Sequence, residues 1–164
     1  MAESKETLGR SVLFVCTGNT CRSPMAEALF RHAVAGQQGW SIKSAGVAAS
    51  VGSKASHDTL KVLEARGITF ADFRSQQVDE ILLRDADAVF AMTESHLCYL
   101  EEDFPEFADK FYLVCDFVDL PGKGVGCDVP DPIGMGGKAY EQVAKVIEKA
   151  IPGILLFLGA EKKS

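Results

Sequence analysis

Long apolar runs are missing from this chain of 164 residues. The most apolar stretch, Ala150 to Ala160, is too short to cross a bilayer and carries Pro152 and Gly153, so no membrane segment is expected. The opening residues, Met1 to Arg10, are charged and hold no apolar core, which argues against a secretory leader and for a flexible tail. Basic residues are outnumbered, 17 against 23 acidic for a net charge of −6, which disfavours a general nucleic-acid binder. No internal repeat, low-complexity tract or linker divides the chain. With 47% apolar and 24% charged residues, disorder and collagen-like repeats are excluded, and one domain is expected. Cysteines are few and odd in number: Cys16, Cys21, Cys98, Cys115 and Cys127. Without a leader they read as free thiols of a cytoplasmic protein, not as a disulfide framework. His32, His57 and His96 show no ligand spacing, so neither metal nor cofactor is expected.

What is present is an alternation of strands and helices. Val12 to Val15 is apolar on both faces and reads as a buried strand. Cys16 to Ser23 has loop chemistry, and Pro24 stands where a first helical turn tolerates a missing N–H. Met25, Leu29 and Ala33 follow at helical spacing. Trp40 to Ser44 alternates like a strand; Leu60, Leu63 and Ile68 mark a helix ending near Gly67; Ile81 to Leu83 close another helix. Ala88 to Met92 and Phe111 to Val114 are further strands. A last helix lines up Val143, Ile147, Ala150, Ile154 and Leu158, with Pro152 expected to kink it or start a new turn. Such alternation predicts a parallel sheet covered on both sides, an α/β/α domain. Gly122 to Gly137 is a long Gly/Pro-rich loop, a length usually kept for function.

The most informative stretch is Cys16-Thr17-Gly18-Asn19-Thr20-Cys21-Arg22-Ser23-Pro24. It leaves the carboxyl end of a strand and enters a helix N-terminus, the edge of an open α/β sheet where ligands bind. Unpaired amides and the positive end of a helix dipole attract an anion there. Arg22 adds a planar fork suited to a tetrahedral oxyanion. The same field acts on Cys16, because a sulfur nucleophile reacts as the thiolate and positive surroundings stabilise that form. Thiol, oxyanion cradle and arginine are the parts of a phosphoryl transfer to sulfur. A Walker-type loop is excluded, since no Gly-Lys-Ser/Thr follows. The leaving atom needs a proton and the later water a base, for which the loop offers Asp128, Asp131 and, more remotely, Asp119.

Cys-x5-Arg-Ser after a first strand, matched by Cys16, Arg22 and Ser23, resembles the low-molecular-weight protein tyrosine phosphatases. The similarity continues through Ser44-Ala45-Gly46, Asp85 to Ser95 and Asp131-Pro132. The resemblance implies a four-stranded parallel sheet with flanking helices in a single domain. It implies that Cys16 is the nucleophile, that residues 17–22 bind the phosphate and that Asp131 is the acid and base. Pro132 holds that aspartate extended. It implies further that Asn19, Ser23, Ser44 and His57 hydrogen-bond the loop into shape. Cys21 would form a reversible disulfide with Cys16. The substrate is then a phosphorylated protein.

Substrate choice turns on the pocket wall. Tyrosine-directed members of the family carry a bulky aliphatic residue at the position of Thr20 and aromatics just after Asp-Pro. Here Thr20 is polar, Ile133 and Gly134 follow Asp-Pro, and Val47-Ala48-Ala49 form the other wall. The loop is instead similar to that of the protein-arginine phosphatases within the family, where this threonine goes with phosphoarginine. The expectation is a protein-arginine phosphatase, with a protein-tyrosine phosphatase as the alternative. Arsenate reductase is the lesser option, because Cys98, Cys115 and Cys127 do not form the short pair its relay needs.

Overall fold

The computed structural model describes residues 10–159. Residues 1–9 of the tail expected over 1–10 lie outside them, and Arg10, its last residue, instead opens the first strand. In chain order the elements are β1 (Arg10–Cys16), α1 (Arg22–Ala33), β2 (Trp40–Gly46), α2 (His57–Glu64), α3 (Glu80–Asp85), β3 (Ala88–Ala91) and α4 (Glu94–Asp103). A 3-10 turn (Pro105–Lys110), β4 (Phe111–Leu113), a second 3-10 turn (Val114–Phe117), β5 (Asp119–Leu120), β6 (Gly124–Val125) and α5 (Gly137–Phe157) complete it.

Four parallel strands form the main sheet in the order β2-β1-β3-β4, as expected. The strand after β1 returns on one side and the next on the other. The loop that follows β1 therefore opens at the point where the winding reverses, which is where such sheets bind ligands. β1 explains the two cores by alternation alone. Val12, Phe14 and Cys16 point into the layer of α1, α2 and α5, packed with Met25, Phe30, Leu63 and Ile154. Leu13 and Val15 point into the opposite layer with Leu83 of α3 and Leu100 of α4. Each fully buried Phe or Leu contributes roughly 2–3 kcal/mol relative to exposure. Cys16, the last residue of β1, inherits this fixed direction and is itself 3% exposed.

Several expectations need correction. Ile81 to Leu83 open α3 and do not close a helix, because the Asp79 side chain accepts from the Leu82 amide and starts it. α2 ends at Glu64, and Ile68 follows Gly67, whose φ of 77° breaks the helix. α5 runs through Pro152 without ending. At the next residue a Cβ would collide with the Phe117 carbonyl, so Gly153 lets α5 lie directly on the second 3-10 turn. Part of the long Gly/Pro-rich loop pairs as the small β5–β6 hairpin. α4 carries no strong apolar stripe, burying only His96 and Leu100, and has no counterpart in the sequence reading. Among the described residues, no helix is long and apolar enough to cross a membrane.

Candidate active site

The loop after β1 is built from its carbonyls outward. The Cys16 and Thr17 carbonyls accept from the amides of Val47 and Ala48, both at 2.9 Å. The Thr20 carbonyl accepts from Ser56 N at 2.9 Å, and that of Cys21 from Met25 N at 3.1 Å. Among the described residues, the amides of 17–22 donate to no acceptor of the protein. Carbonyls tied down outside and amides left for the inside make a nest for an oxyanion. The first turn of α1 adds to it, since its N-cap, Cys21, makes no side-chain capping bond to the helix amides.

Two positions make this path of the chain feasible. Asn19 sits at φ 58°, left-handed and without a glycine's freedom. It is fully buried, and its side chain supports that backbone. Opposite, Gly46 ends β2 where a Cβ would collide with the Thr17 carbonyl, so the loop lies flat on the strand end.

Asn19 also orders the protons around the sulfur. Its Oδ1 accepts from the Gln76 amide at 2.9 Å, which can only donate, so Nδ2 must face the other way. Nδ2 donates to Ser23 Oγ at 2.8 Å and to Ser44 Oγ at 2.9 Å. Ser44 then donates to Glu27 Oε1 at 2.6 Å. Ser23 keeps its own proton for Cys16 Sγ at 2.9 Å or for the Ala45 carbonyl at 3.4 Å. A hydroxyl pointed at sulfur stabilises negative charge there. Glu27, at the far end, is pushed up by burial, an effect opposed by Ser44, Arg31 and Lys43.

The structure brings Arg22 and Asp131 to the same spot. Arg22 is buried, and Nη1 donates to the Val129 carbonyl at 3.0 Å. Nη2 lies 3.7 Å from Asp131 Oδ2. The Asp131 side chain is 53% exposed and accepts from the Ile133 amide at 3.1 Å, so it can meet a substrate while staying aimed. The other two aspartates are separated from it by their contacts. Asp128 caps α4 by accepting from Glu94 N at 2.8 Å, and Asp119 stands exposed in the β5–β6 hairpin. Of the expected selectivity residues, Thr20 and Val47 are half-buried and Ile133 is exposed, and Thr17 is exposed beside them in sequence.

His57 does not support the loop. It is the exposed first residue of α2, and among the described residues it has no hydrogen bond to the loop. Its neighbours do that work: Ser56 N and Thr59 Oγ1 both donate to the Thr20 carbonyl. The Ser-x-x-Thr spacing of a helix cap was the signal for them. Cys21 Sγ lies 3.6 Å from Ser56 Oγ and 3.4 Å from Tyr140 Oη. Burial, with the bond to Cys21 adding to it, pushes the Tyr140 phenol up to about 12. Tyr140 comes from α5, more than a hundred residues away, and left no signal in the sequence.

His96 is the other unforeseen member. Nε2 lies 2.7 Å from Thr17 Oγ1 and Nδ1 lies 3.0 Å from Thr93 Oγ1, so hydroxyls serve both nitrogens of a neutral ring. Burial, helped by the Arg22 charge, pushes it down to about 4 against the pull of Asp128 and Asp131. Between its unfolded value of 6.5 and about 4, the unfolded chain therefore binds a proton that the native one does not. Stability is expected to fall as pH drops through that window, by at most ~3 kcal/mol from this group. His96→Gln should flatten the decline in urea unfolding; an unchanged slope would show that another group causes it.

The sequence profile described as low molecular weight phosphotyrosine protein phosphatase matches residues 11–164. A protein-arginine-phosphatase of Geobacillus stearothermophilus is 41% identical over 140 residues, covering 85% of this chain and 90% of the relative. The low molecular weight protein-tyrosine-phosphatase YfkJ of Bacillus subtilis is 35% identical over 160 residues, 93% of this chain and 98% of the relative. A solved YwlE arginine phosphatase variant with a phosphorylated active-site serine superposes with a TM-score of 0.81 at 34% identity, covering 91% of this chain and 95% of that one. With residues 11–164 matched by the family profile, this protein belongs to the low molecular weight phosphotyrosine protein phosphatase family.

Proposed function

We propose that the protein is a protein-arginine phosphatase acting through a phosphocysteine at Cys16. The phosphoryl oxygens sit on the amides of residues 17–22 and on Arg22. The Cys16 thiolate attacks phosphorus, the P–N bond to the guanidine breaks, and Asp131 gives its proton to the departing nitrogen. Asp131, now a carboxylate, takes a proton from water as the water attacks phosphorus. The S–P bond breaks, releasing inorganic phosphate and restoring the thiolate. The substrate is a phosphorylated protein, and no nucleic acid, metal or cofactor enters the cycle. A cytoplasmic setting, which keeps thiols reduced, suits this nucleophile. When hydrogen peroxide converts Cys16 to a sulfenic acid, Cys21 condenses with it to a disulfide and water.

The observation that carries the choice of phosphoarginine is the wall: Thr20, Val47 and Ile133 are all non-aromatic, while a carboxyl group stands beside the cradle. A phosphotyrosine ring gains affinity from aromatic surfaces, whereas a guanidinium gains it from a carboxylate. The activity of the 41% identical relative supports the same choice. The 35% identical tyrosine phosphatase is what favours the second reading. Thr20→Ile separates them. The ratio of phosphoarginine to phosphotyrosine turnover should fall about tenfold or more, the size of a lost polar contact in a specificity pocket. An unchanged ratio would remove Thr20 from the selectivity account.

A further inference from the structure

A cavity of about 490 Å³ opens between α1, the edge strand β2 and the segment 69–76. None of residues 16–23 lines it. Arg31, Lys43 and Arg74 face it, along with Phe70 and Phe73, whose rings stack at 5.1 Å and 21°. Glu27 and Asp72 also lie on its wall. Arg31 is engaged by Glu27 and the Ile42 carbonyl. Among the described residues, Lys43 and Arg74 have no carboxylate within ion-pairing distance. Arg74 spends only Nη1, on the carbonyls of Ala71 and Phe73. Unpaired cations beside a flat aromatic pair suit a small aromatic carboxylate.

The walls of this cavity reach the nucleophile by two routes that meet at Asn19. From the floor, Glu27 accepts from Ser44, which accepts from Asn19. From the roof, Gln76 donates its amide to Asn19 and its Nε2 to the Ser44 carbonyl at 3.0 Å. Asn19 in turn holds Ser23 against Cys16. We propose that this cavity binds a small aromatic carboxylate and that its occupancy slows turnover at Cys16 through Glu27 and Gln76. A carboxylate drawn to Arg31 and Lys43 removes the countercharge of Glu27, whose buried side chain then favours the neutral, protonated form. Glu27 then becomes a poorer acceptor for Ser44, and the grip on Asn19 loosens. The proposal rests on the phosphatase activity alone and not on the choice of phosphoarginine.

Benzoate is the probe, with para-nitrophenyl phosphate as a generic substrate and the full chain as the protein. Hydrolysis without benzoate tests the phosphatase reading separately. With phosphate saturating the active site, benzoate should still shift the backbone amide resonances of Thr69 to Gln76. At saturation kcat should fall about fivefold with KM little changed, the lower end of coupling between two sites. Arg74→Ala, which leaves Glu27, Ser44 and Asn19 untouched, should keep its basal kcat and weaken the response at least severalfold. A rise in KM alone that persists in that variant would place benzoate in the active site and overturn the proposal. So would absent amide shifts, or shifts without any change in kcat.

Discussion

Serine in place of Cys16 should abolish hydrolysis, lowering kcat by about four orders of magnitude or more while the protein stays folded. The fold survives because serine is slightly smaller than cysteine and keeps a polar atom within reach of the Ser23 hydroxyl, now 2.9 Å from sulfur. The amide nest and Arg22 do not depend on the sulfur, since their bonds run to Val47, Ala48, Ser56 and Val129. Phosphate binding, read by titration, should therefore persist where turnover is lost. What disappears is an anionic nucleophile, because the hydroxyl of serine stays protonated with no base beside it. Residual activity of a few per cent would show that turnover does not depend on the sulfur of Cys16.

The second large effect is at Asp131. Asp131→Asn should lower kcat about 10²–10⁴-fold, the usual share of general acid–base catalysis. Asparagine keeps the size of the side chain and an oxygen for the Ile133 amide, so the aim is preserved while the transferable proton and the charge facing Arg22 are lost. The loss should be smaller on a substrate whose leaving group needs no proton, such as para-nitrophenolate. Asp128→Asn provides the contrast. That side chain caps α4 through Glu94 N, so its replacement should cost stability of about 1 kcal/mol or less and leave kcat nearly intact. If Asp128→Asn were the damaging change, the roles of the two aspartates would be reversed.

The parts of this protein legible in its sequence are those set by short-range chemistry. β1 is readable because Val12 to Val15 are apolar on both faces, and the structure buries them on both. The cradle is readable because strand, small polar loop, arginine and helix start fall within a few consecutive residues. Its support is less so. Glu27, Gln76, His96 and Tyr140 reach the loop from separate elements, and nothing in their local spacing announces it. His57 misleads because the resemblance fixes the segment but not the residue, and the amide of Ser56 and the hydroxyl of Thr59, on either side of it, reach the loop's carbonyl instead. α4 is hidden because most of its surface is polar, and its start is marked only by Thr93 accepting from His96 N.

Lys43 and Arg74 illustrate the converse. Each is an ordinary exposed cation in the sequence, and only the folding of segment 69–76 over β2 places them on one cavity wall. The hydrogen bonds from that wall to Asn19, and on through Ser23, connect a surface remote in sequence to Cys16.

The most direct test is phosphate release from one peptide sequence carrying phosphoarginine or phosphotyrosine at the same position, compared as kcat/KM. The account predicts a preference for phosphoarginine of about tenfold or more, absent in Cys16→Ser. A preference for phosphotyrosine would contradict it, and would mean that an aromatic surface outside Thr20, Val47 and Ile133 completes the pocket.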